Sequence, residues 1–206
     1  MLYIIINWKL IRRTSFKDKF KPFQNLVAND NIILRQPNVE TDLEVNLRMS
    51  MNPNIWKYYD GRSPGNKKES EESIKNGVIK SLSNQIRFTE NGTMYVWTIA
   101  DKNTNEVLGG IHLSDFEANN KIANIGYYLD EKYWNKGIIT ACIKPDFGFS
   151  HLELERIYSK IHIDNFGSWK ALENNGFIRE GLLKHCFVCP MGLSDCYIYA
   201  RVQYEF

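Results

Sequence analysis

The fold of this chain is decided by residues 122–141, which read IANIGYYLDEKYWNKGIITA. An apolar, aromatic strand runs into a short turn with one glycine, Gly137, and a helix begins at or just after it. The main-chain N–H groups of such a turn and of the first helical turn lack intrahelical partners and lie at the positive end of the helix dipole. They form a seat for phosphate, so the stretch predicts a nucleotide-bearing cofactor at the end of a strand.

The composition is that of an ordinary globular protein. The chain has 206 residues, of which 43% are hydrophobic and 24% charged, and this length favours a single domain. The net charge of +2 does not indicate a nucleic-acid partner. No apolar run approaches the roughly 20 residues that span a bilayer, so no membrane association is expected.

Four cysteines occur, at positions 142, 186, 189 and 196. Because no signal peptide is apparent, we expect reduced thiols in a cytoplasmic protein. Cys186 and Cys189, with Cys196 and His185 nearby, imitate a zinc site. The second half of a paired ligand arrangement is missing, so no metal is predicted and packing or surface thiols are favoured.

Residues 1–30 form a basic and aromatic extension to a domain predicted over residues 31–206. Six basic residues between positions 9 and 21 face a single acid, Asp18, and aromatic side chains are interleaved with them. Such an arm could contact RNA or an anionic surface. The favoured alternative is a solvated extension or a surface strand and helix, since charge runs on tails are common.

From residue 31 onward, strand and helix patterns alternate. Strands are predicted at 32–35, 94–100, 107–114, 122–129, 156–163, 178–183 and 195–202. Helices are predicted at 41–51 with Thr41 as N-cap, at 67–84, after Gly137 with a kink or restart at Pro145, and at 166–175. A loop is expected at 60–66 and a turn at 119–121. This order predicts one α/β (α+β) domain with a mixed, mostly antiparallel sheet of about seven strands and helices on both faces.

Three further segments complete a family pattern, and they read IDNFGS at 163–168, ALENNGF at 171–177 and DCYIYAR at 195–201. Together with the first stretch, in this order and spacing, they resemble the GNAT superfamily of acyl-CoA N-acyltransferases. The chain looks most like the branch that contains ribosomal-protein N-terminal acetyltransferases and relatives that acetylate polyamines. The resemblance covers about residues 31–203, and it implies the GNAT fold with acetyl-CoA as cosubstrate.

The resemblance also implies where acetyl-CoA would bind. The pyrophosphate loop falls on residues 134–140, where main-chain amides would hold the phosphates and Lys136 would add charge. The main chain of residues 127–129 would pair with the pantetheine arm in a groove between the strands 122–129 and 156–163. The implied coenzyme-binding residues are Tyr127, Tyr128, Leu129, Trp134, Asn135, Lys136, Gly137, Ile138, Ile139, Thr140, Asn165, Ser168 and Lys170. Asn165 and Ser168 are equally suited to cap a helix, and the two roles are compatible.

Candidate catalytic residues are less regular. Many relatives carry a glutamate, as a base, two positions before the strand glycine, where this chain has Asn124, which accepts no proton usefully. His112 on the neighbouring strand is the substitute for a proton relay, against the alternative of a packed or exposed side chain. Ser168 is the candidate for stabilising the leaving thiolate. Tyr199 on the last strand is a further candidate, and core packing is its alternative.

The sequence therefore predicts a cytoplasmic N-acetyltransferase that acts on a primary amine, which is a protein N-terminus or a small polyamine. Neutralising a lysine-like amine near pH 7.4 costs about 4 kcal/mol, and neutralising an α-amino group costs less than about 1 kcal/mol. Two alternatives stay open, a weakened acyl-CoA-binding or interaction module and an RNA-associated protein. Ile139 and the short helix near Pro145 could reshape the adenine side of the site. The oligomeric state is not revealed, and a homodimer is left open.

Overall fold

The computed structural model describes residues 22–59, 70–117, 121–144 and 146–203. Its strands are β1 (Leu26–Val27), β2 (Ile32–Arg35), β3 (Tyr95–Asp101), β4 (Val107–Glu117), β5 (Ile122–Leu129), β6 (Arg156–His162), β7 (Ile178–Cys189) and β8 (Gly192–Val202). Its α-helices are α1 (Val39–Ser50), α2 (Pro53–Trp56), α3 (Glu71–Asn91), α4 (Ile138–Cys142) and α5 (Phe166–Glu173). A 3₁₀ turn covers Glu131–Tyr133 and a π-helical turn covers Phe147–His151. The predicted loop 60–66, most of the predicted turn 119–121, Pro145 and residues 1–21 lie outside the described residues.

The eight described strands form one sheet in the order β1-β2-β3-β4-β5-β6-β8-β7. All neighbouring strands are antiparallel except β5 and β6, which are parallel. The prediction of a mixed, mostly antiparallel sheet is therefore confirmed. The strand beyond the predicted seven is β1, which comes from residues 22–30 of the predicted extension and pairs with β2. Phe23 from the same segment contacts Trp97, with ring centroids 5.6 Å apart.

Helices cover both faces of the sheet, as predicted. On one face, named here the α5 face, Ile125 and Ile157 pack with Leu172 of α5 in the main hydrophobic core. On the opposite face, named the α1 face, Tyr128 of β5 donates a hydrogen bond to Asn46 of α1. Because side chains alternate along a strand, each position of β5 and β6 can be assigned to one face.

Two helix boundaries differ from the prediction. The N-cap of α1 is Asn38 rather than Thr41, because the Asn38 Oδ1 atom accepts hydrogen bonds from the N–H groups of Glu40 and Thr41, each at 2.9 Å. Helix α3 continues to Asn91 instead of ending at residue 84. It ends at Gly92, whose positive φ of 81° suits a glycine C-cap.

The helix that follows Gly137 is short and interrupted. Helix α4 ends at Cys142, Ile143 is extended, and the chain resumes as the π-helical turn. This agrees with the predicted restart near position 145. Asn175 stabilises the short helix, because its Nδ2 atom donates to the carbonyl oxygen of Thr140 at 3.0 Å. The end of α4 is thereby tied to the end of α5.

The last two strands form a longer hairpin than predicted, and a disulfide joins Cys186 to Cys196 across it. The expectation of four reduced thiols is therefore wrong for this pair. The Cα atoms of the two residues lie 6.1 Å apart, within the range that a disulfide requires, because β7 is irregular between residues 183 and 187. Cys142 and Cys189 are free and buried. Burial raises the pKa of the Cys142 thiol to about 12.

Candidate active site

A cavity opens where β5 and β6 separate. The two strands pair only from Ile122 opposite Arg156 to Asn124 opposite Tyr158. The hydroxyl of Ser159 donates to the carbonyl oxygen of Ile125 at 2.8 Å, which is the next link between the two strands. Beyond it lies a cavity of about 300 Å³. Strands, the turn after α2 and the start of α5 line it with Tyr58, Tyr59, His112, Ser114, Asp115, Asn124, Ile125, Gly126, Tyr127, Tyr158, Ser159, Lys160, Ile161, His162, Asn165 and Ser168.

The cavity is lined from both faces of the sheet. Tyr127, Asn165 and Ser168 line it on the α5 face. His112 and His162 line it on the α1 face. His112 pairs with Gly126, which lies two positions from Tyr128 of the α1 face. His162 lies five positions after Ile157 of the α5 face, so it points to the opposite side of β6. The cavity therefore passes between the two diverging strands. Two molecules approaching from opposite sides of the sheet would meet in it.

The wall on the α5 face is fixed by the first turn of α5. The Oδ1 atom of Asn165 accepts a hydrogen bond from the N–H of Ser168 at 3.4 Å, so the predicted cap is confirmed. The Tyr127 hydroxyl donates to the carbonyl oxygen of Ser168 at 3.3 Å. Burial raises the pKa of Tyr127, so its phenol stays protonated and remains a donor. The cap leaves the Asn165 Nδ2 amide without an acceptor among the described residues.

The main-chain groups of residues 127–129, which are expected to pair with a pantetheine arm, do not all point toward the cavity. The Ile125 carbonyl faces β6, so strand alternation places the main chain of Tyr127 and Leu129 on the same edge. The Leu129 carbonyl oxygen already accepts from the Trp134 indole at 2.9 Å. Tyr128 pairs with Gly110, so its main chain faces β4. Within this stretch, Tyr127 offers the main-chain groups that face the cavity.

The glycine turn has the geometry of an anion-binding site. Asn135 and Gly137 have positive φ values of 58° and 72°. From Asn135 to Thr140, no main-chain N–H donates to an acceptor in the described residues, and the first return bond runs from Ala141 to Gly137. Alternating left- and right-handed residues that expose successive N–H groups are typical of phosphate-binding turns. Ile139 packs against the main core, which directs its bulk away from the turn.

The wall on the α1 face carries several polar side chains. The His112 ring lies directly over Gly126, since a Cβ atom at Gly126 would lie 2.5 Å from His112 Cε1. His162 is buried, and its Nδ1 accepts from the N–H of Asp164 at 3.1 Å. The His162 ring also contacts Tyr58, with centroids 4.8 Å apart. Sequence reasoning missed His162 and Tyr58.

Asn124 is joined to a carboxylate that the sequence analysis also missed. Its Nδ2 atom donates to the Oδ2 atom of Asp115 at 3.3 Å. Asp115 has a positive φ of 51° at an irregularity in the pairing of β4 with β5. The neighbouring Tyr158 donates to Glu117 at 3.1 Å. Burial, followed by this hydrogen bond, raises the pKa of Tyr158 to about 12.

Three predicted residues, Tyr199, Lys170 and Lys136, lie away from the cavity. Tyr199 is fully buried in the main core, and its hydroxyl donates to Glu173 at 2.9 Å. The structure therefore places Tyr199 in the packing role that was its alternative. Lys170 is exposed on α5, and Lys136 is exposed with its Nζ 5.3 Å from the Tyr133 ring centre. Among the described residues, no group of three or more His, Cys, Asp or Glu side chains is arranged to hold a metal ion.

Comparison with known proteins agrees with this fold. Residues 31–178 match the family described as an acetyltransferase (GNAT) domain. This chain belongs to the GNAT family of N-acetyltransferases. An uncharacterized N-acetyltransferase p20 of Bacillus licheniformis is 27% identical over 179 residues, which are 86% of this chain and 96% of the relative.

Two further relatives bear on the activity of the family. The ribosomal-protein-serine acetyltransferase of Escherichia coli K12 is 31% identical over 137 residues, which cover 65% of this chain and 73% of the relative. A solved structure of the microcin C7 self-immunity acetyltransferase MccE, in complex with acetyl-CoA and AMP, superposes with a TM-score of 0.72. It is 21% identical and covers 90% of this chain and 99% of that one, so it shows a shared fold.

No described helix is both long and apolar enough to cross a membrane.

Proposed function

We propose that this chain transfers the acetyl group of acetyl-CoA to a primary amine, with the α-amino group of a protein N-terminus as the favoured acceptor. The observation that carries the proposal is the cavity between β5 and β6, which is lined from both faces of the sheet. A coenzyme arm on the α5 face and an amine on the α1 face would meet there. A relative named as a ribosomal-protein-serine acetyltransferase supports a protein acceptor.

The chain offers suitable groups for acetyl-CoA, which would supply an activated acetyl thioester. The free N–H groups from Asn135 to Thr140 fit the pyrophosphate, and Lys136 adds positive charge at the same turn. The main chain of Tyr127 and the Nδ2 amide of Asn165 face the cavity and suit the amides of the pantetheine arm. Lys170, exposed on α5, is the candidate for the ribose phosphate.

The residues around the cavity also suit the chemistry of transfer. A main-chain N–H at Tyr127 would stabilise negative charge on the carbonyl oxygen, since preorganised donors of this kind lower such barriers. The Ser168 hydroxyl would donate a hydrogen bond to the departing sulfur. An α-amino group is neutral at little free-energy cost, so a relay through His112 and water is sufficient help for it.

The proposal is tested by offering acetyl-CoA and a panel of acceptors to the purified chain. The panel contains peptides with free N-termini, the same peptides with blocked N-termini, and a linear diamine. We expect mass spectrometry to detect one acetyl group on free N-termini and none on blocked peptides without lysine. A faster reaction with the diamine would replace the proposed acceptor by a polyamine.

A second candidate function is a coenzyme-binding module without turnover, and the absence of a carboxylate at Asn124 favours it. The same panel separates the two. Binding of acetyl-CoA measured by calorimetry, together with no acetylation of any acceptor, would establish the module. Transfer to any amine would exclude it.

Replacing Ser168 by alanine is expected to lower kcat by about tenfold with a smaller change in acetyl-CoA affinity. A hydrogen bond to a charged group contributes about 1.5 kcal/mol or more, which is about tenfold in rate, and here it would act on the negative charge that develops on the leaving sulfur rather than on the bound coenzyme. Steady-state kinetics and calorimetry measure the two quantities. Ser83→Ala, on the exposed side of α3, serves as the matched control. Equal kcat in both variants would remove Ser168 from the reaction.

Replacing His112 by glutamine is expected to change the pH profile of kcat/KM, because an imidazole can take up and release a proton and glutamine cannot. Rates are measured from pH 5.5 to 9 with one peptide acceptor. His185→Gln, which changes an exposed histidine of the β7–β8 hairpin, is the control. A pH profile identical to that of the unmodified chain would end the relay hypothesis.

A further inference from the structure

Asp115 occupies an unusual position in the sheet. The pairing of β4 with β5 is regular up to Ser114 opposite Asn124, and it shifts before Glu117. At this shift Asp115 takes a positive φ of 51°, which aspartate tolerates better than most residues. The consequence is local. Asp115 lines the cavity, and among the described residues that line it, Asp115 alone carries a carboxylate.

Two neighbours hold the Asp115 carboxylate by one oxygen. Its Oδ2 atom accepts hydrogen bonds from Asn124 Nδ2 at 3.3 Å and from the Ser114 hydroxyl at 3.2 Å. Its Oδ1 atom accepts no hydrogen bond from any residue that the structure describes. The carboxylate is thus oriented by Oδ2, and Oδ1 is available to a donor that enters the cavity.

Other groups that line the cavity suit a positively charged donor. Tyr58, Tyr59 and Tyr158 line the same cavity, and aromatic rings attract ammonium groups. The other carboxylate near this position, that of Glu117, accepts the hydrogen bond of Tyr158. The cavity-lining side chains that can themselves carry a positive charge are those of Lys160, His112 and His162.

We propose that Asp115, positioned by Asn124, binds the acceptor amine in its ammonium form as it enters the cavity, and so determines the specificity of the enzyme for cationic amines. The amine leaves this ion pair and gives up its proton through the relay of His112 and water before it attacks the thioester. This rests on the proposed function. Under this proposal, Asn124 orients a carboxylate by donating a hydrogen bond, which an amide side chain can do. Asn124 cannot itself supply a carboxylate, and here the carboxylate comes from the neighbouring strand and is held by the asparagine. No covalent step is assigned to either residue.

The test compares Asp115→Asn with the unmodified chain on one peptide acceptor. Asparagine keeps the tolerance for a positive φ and removes only the charge. We expect KM for the peptide to rise at least tenfold, with kcat changed less than threefold and acetyl-CoA affinity unchanged. Asp30→Asn makes the same chemical change at an exposed position before β2 and is the matched control.

A swap of the two residues sharpens the test. The double variant Asp115→Asn with Asn124→Asp returns one carboxylate and one amide to the same wall, and we expect it to recover most of the lost affinity for the peptide. Asn124→Ala alone is expected to raise KM several-fold, because the carboxylate loses a hydrogen-bond donor that orients it. This variant leaves the strained position untouched, so it keeps the proposal testable if Asp115→Asn folds poorly.

The outcomes separate the two proposals. An unmodified chain that acetylates peptides, with KM unchanged in both Asp115→Asn and Asn124→Ala, would overturn the role of Asp115 and leave the function standing. A fall in kcat at constant KM would also overturn it, since that result indicates a role in the chemical step. An unmodified chain that acetylates no amine would refute the proposed function, and the role of Asp115 with it.

Discussion

A glutamate at position 137 is expected to weaken acetyl-CoA binding by at least a hundredfold. Gly137 has a φ of 72°, and a non-glycine side chain at such a φ costs about 1–2 kcal/mol. The larger effect is electrostatic, because the new carboxylate would compete with the pyrophosphate for the free N–H groups of the turn. Calorimetric titration with acetyl-CoA measures the change.

Gly137→Asn is the matched control for this variant. Asparagine tolerates a positive φ and carries no charge, and no atom lies within 4 Å of a Cβ built at this position. We therefore expect its affinity for acetyl-CoA to stay within a few-fold of that of the unmodified chain. An unchanged dissociation constant for Gly137→Glu would exclude the turn from the coenzyme site.

Replacing Asp42 by alanine is expected to lower the free energy of unfolding by about 3–5 kcal/mol, since it leaves a largely buried guanidinium without its partner. Asp42 is fully buried. It accepts from Arg35 at 2.7 and 3.1 Å, from the N–H of Asn38 at 3.0 Å and from Thr98 at 2.9 Å. The carboxylate thus ties β2, α1 and β3 together. Urea unfolding at pH 7 measures the loss, with Asp30→Ala as the exposed control.

The same carboxylate makes stability depend on pH. Burial raises the pKa of Asp42. The hydrogen bonds to the carboxylate, of which that from Arg35 has the largest effect, lower the pKa by more than burial raises it, so the net pKa is below the ordinary value. A lowered folded pKa gives stability that is complete above the unfolded pKa of about 3.9 and is lost as pH falls through the folded pKa. We expect the difference between the unmodified chain and Asp42→Ala to shrink below pH 4. A difference that is equal at pH 7 and pH 3 would contradict this account.

The central strand could be predicted from the sequence, whereas several helix ends could not. Strand β5 has the predicted bounds, because an apolar run with a turn on each side fits no other element. The sequence favours Thr41 as the cap of α1, because a glutamate follows it three residues later. Asn38 caps instead, since Pro37 ends β2 and the helix can begin at once. The end of α3 depends on tertiary packing, because Thr89 is buried and donates to the preceding turn.

The candidate site was predictable where it follows from one segment and was missed where it depends on strand pairing. The glycine turn and the cap at Asn165 are local patterns. Asp115 reaches the cavity because of a shift between two strands, which one segment does not reveal. Tyr199 lies opposite Ser159 on the α5 face, and packing beneath α5 places it in the core.

The passage between β5 and β6 has a consequence for the order of events. Because it is lined from both faces, the two reactants of the proposed reaction would be able to dock in it at the same time, and no described residue lining it is a cysteine that could carry an acyl group. We therefore expect sequential kinetics through a ternary complex. Double-reciprocal plots at several fixed acetyl-CoA concentrations should intersect, whereas parallel lines would indicate a ping-pong cycle.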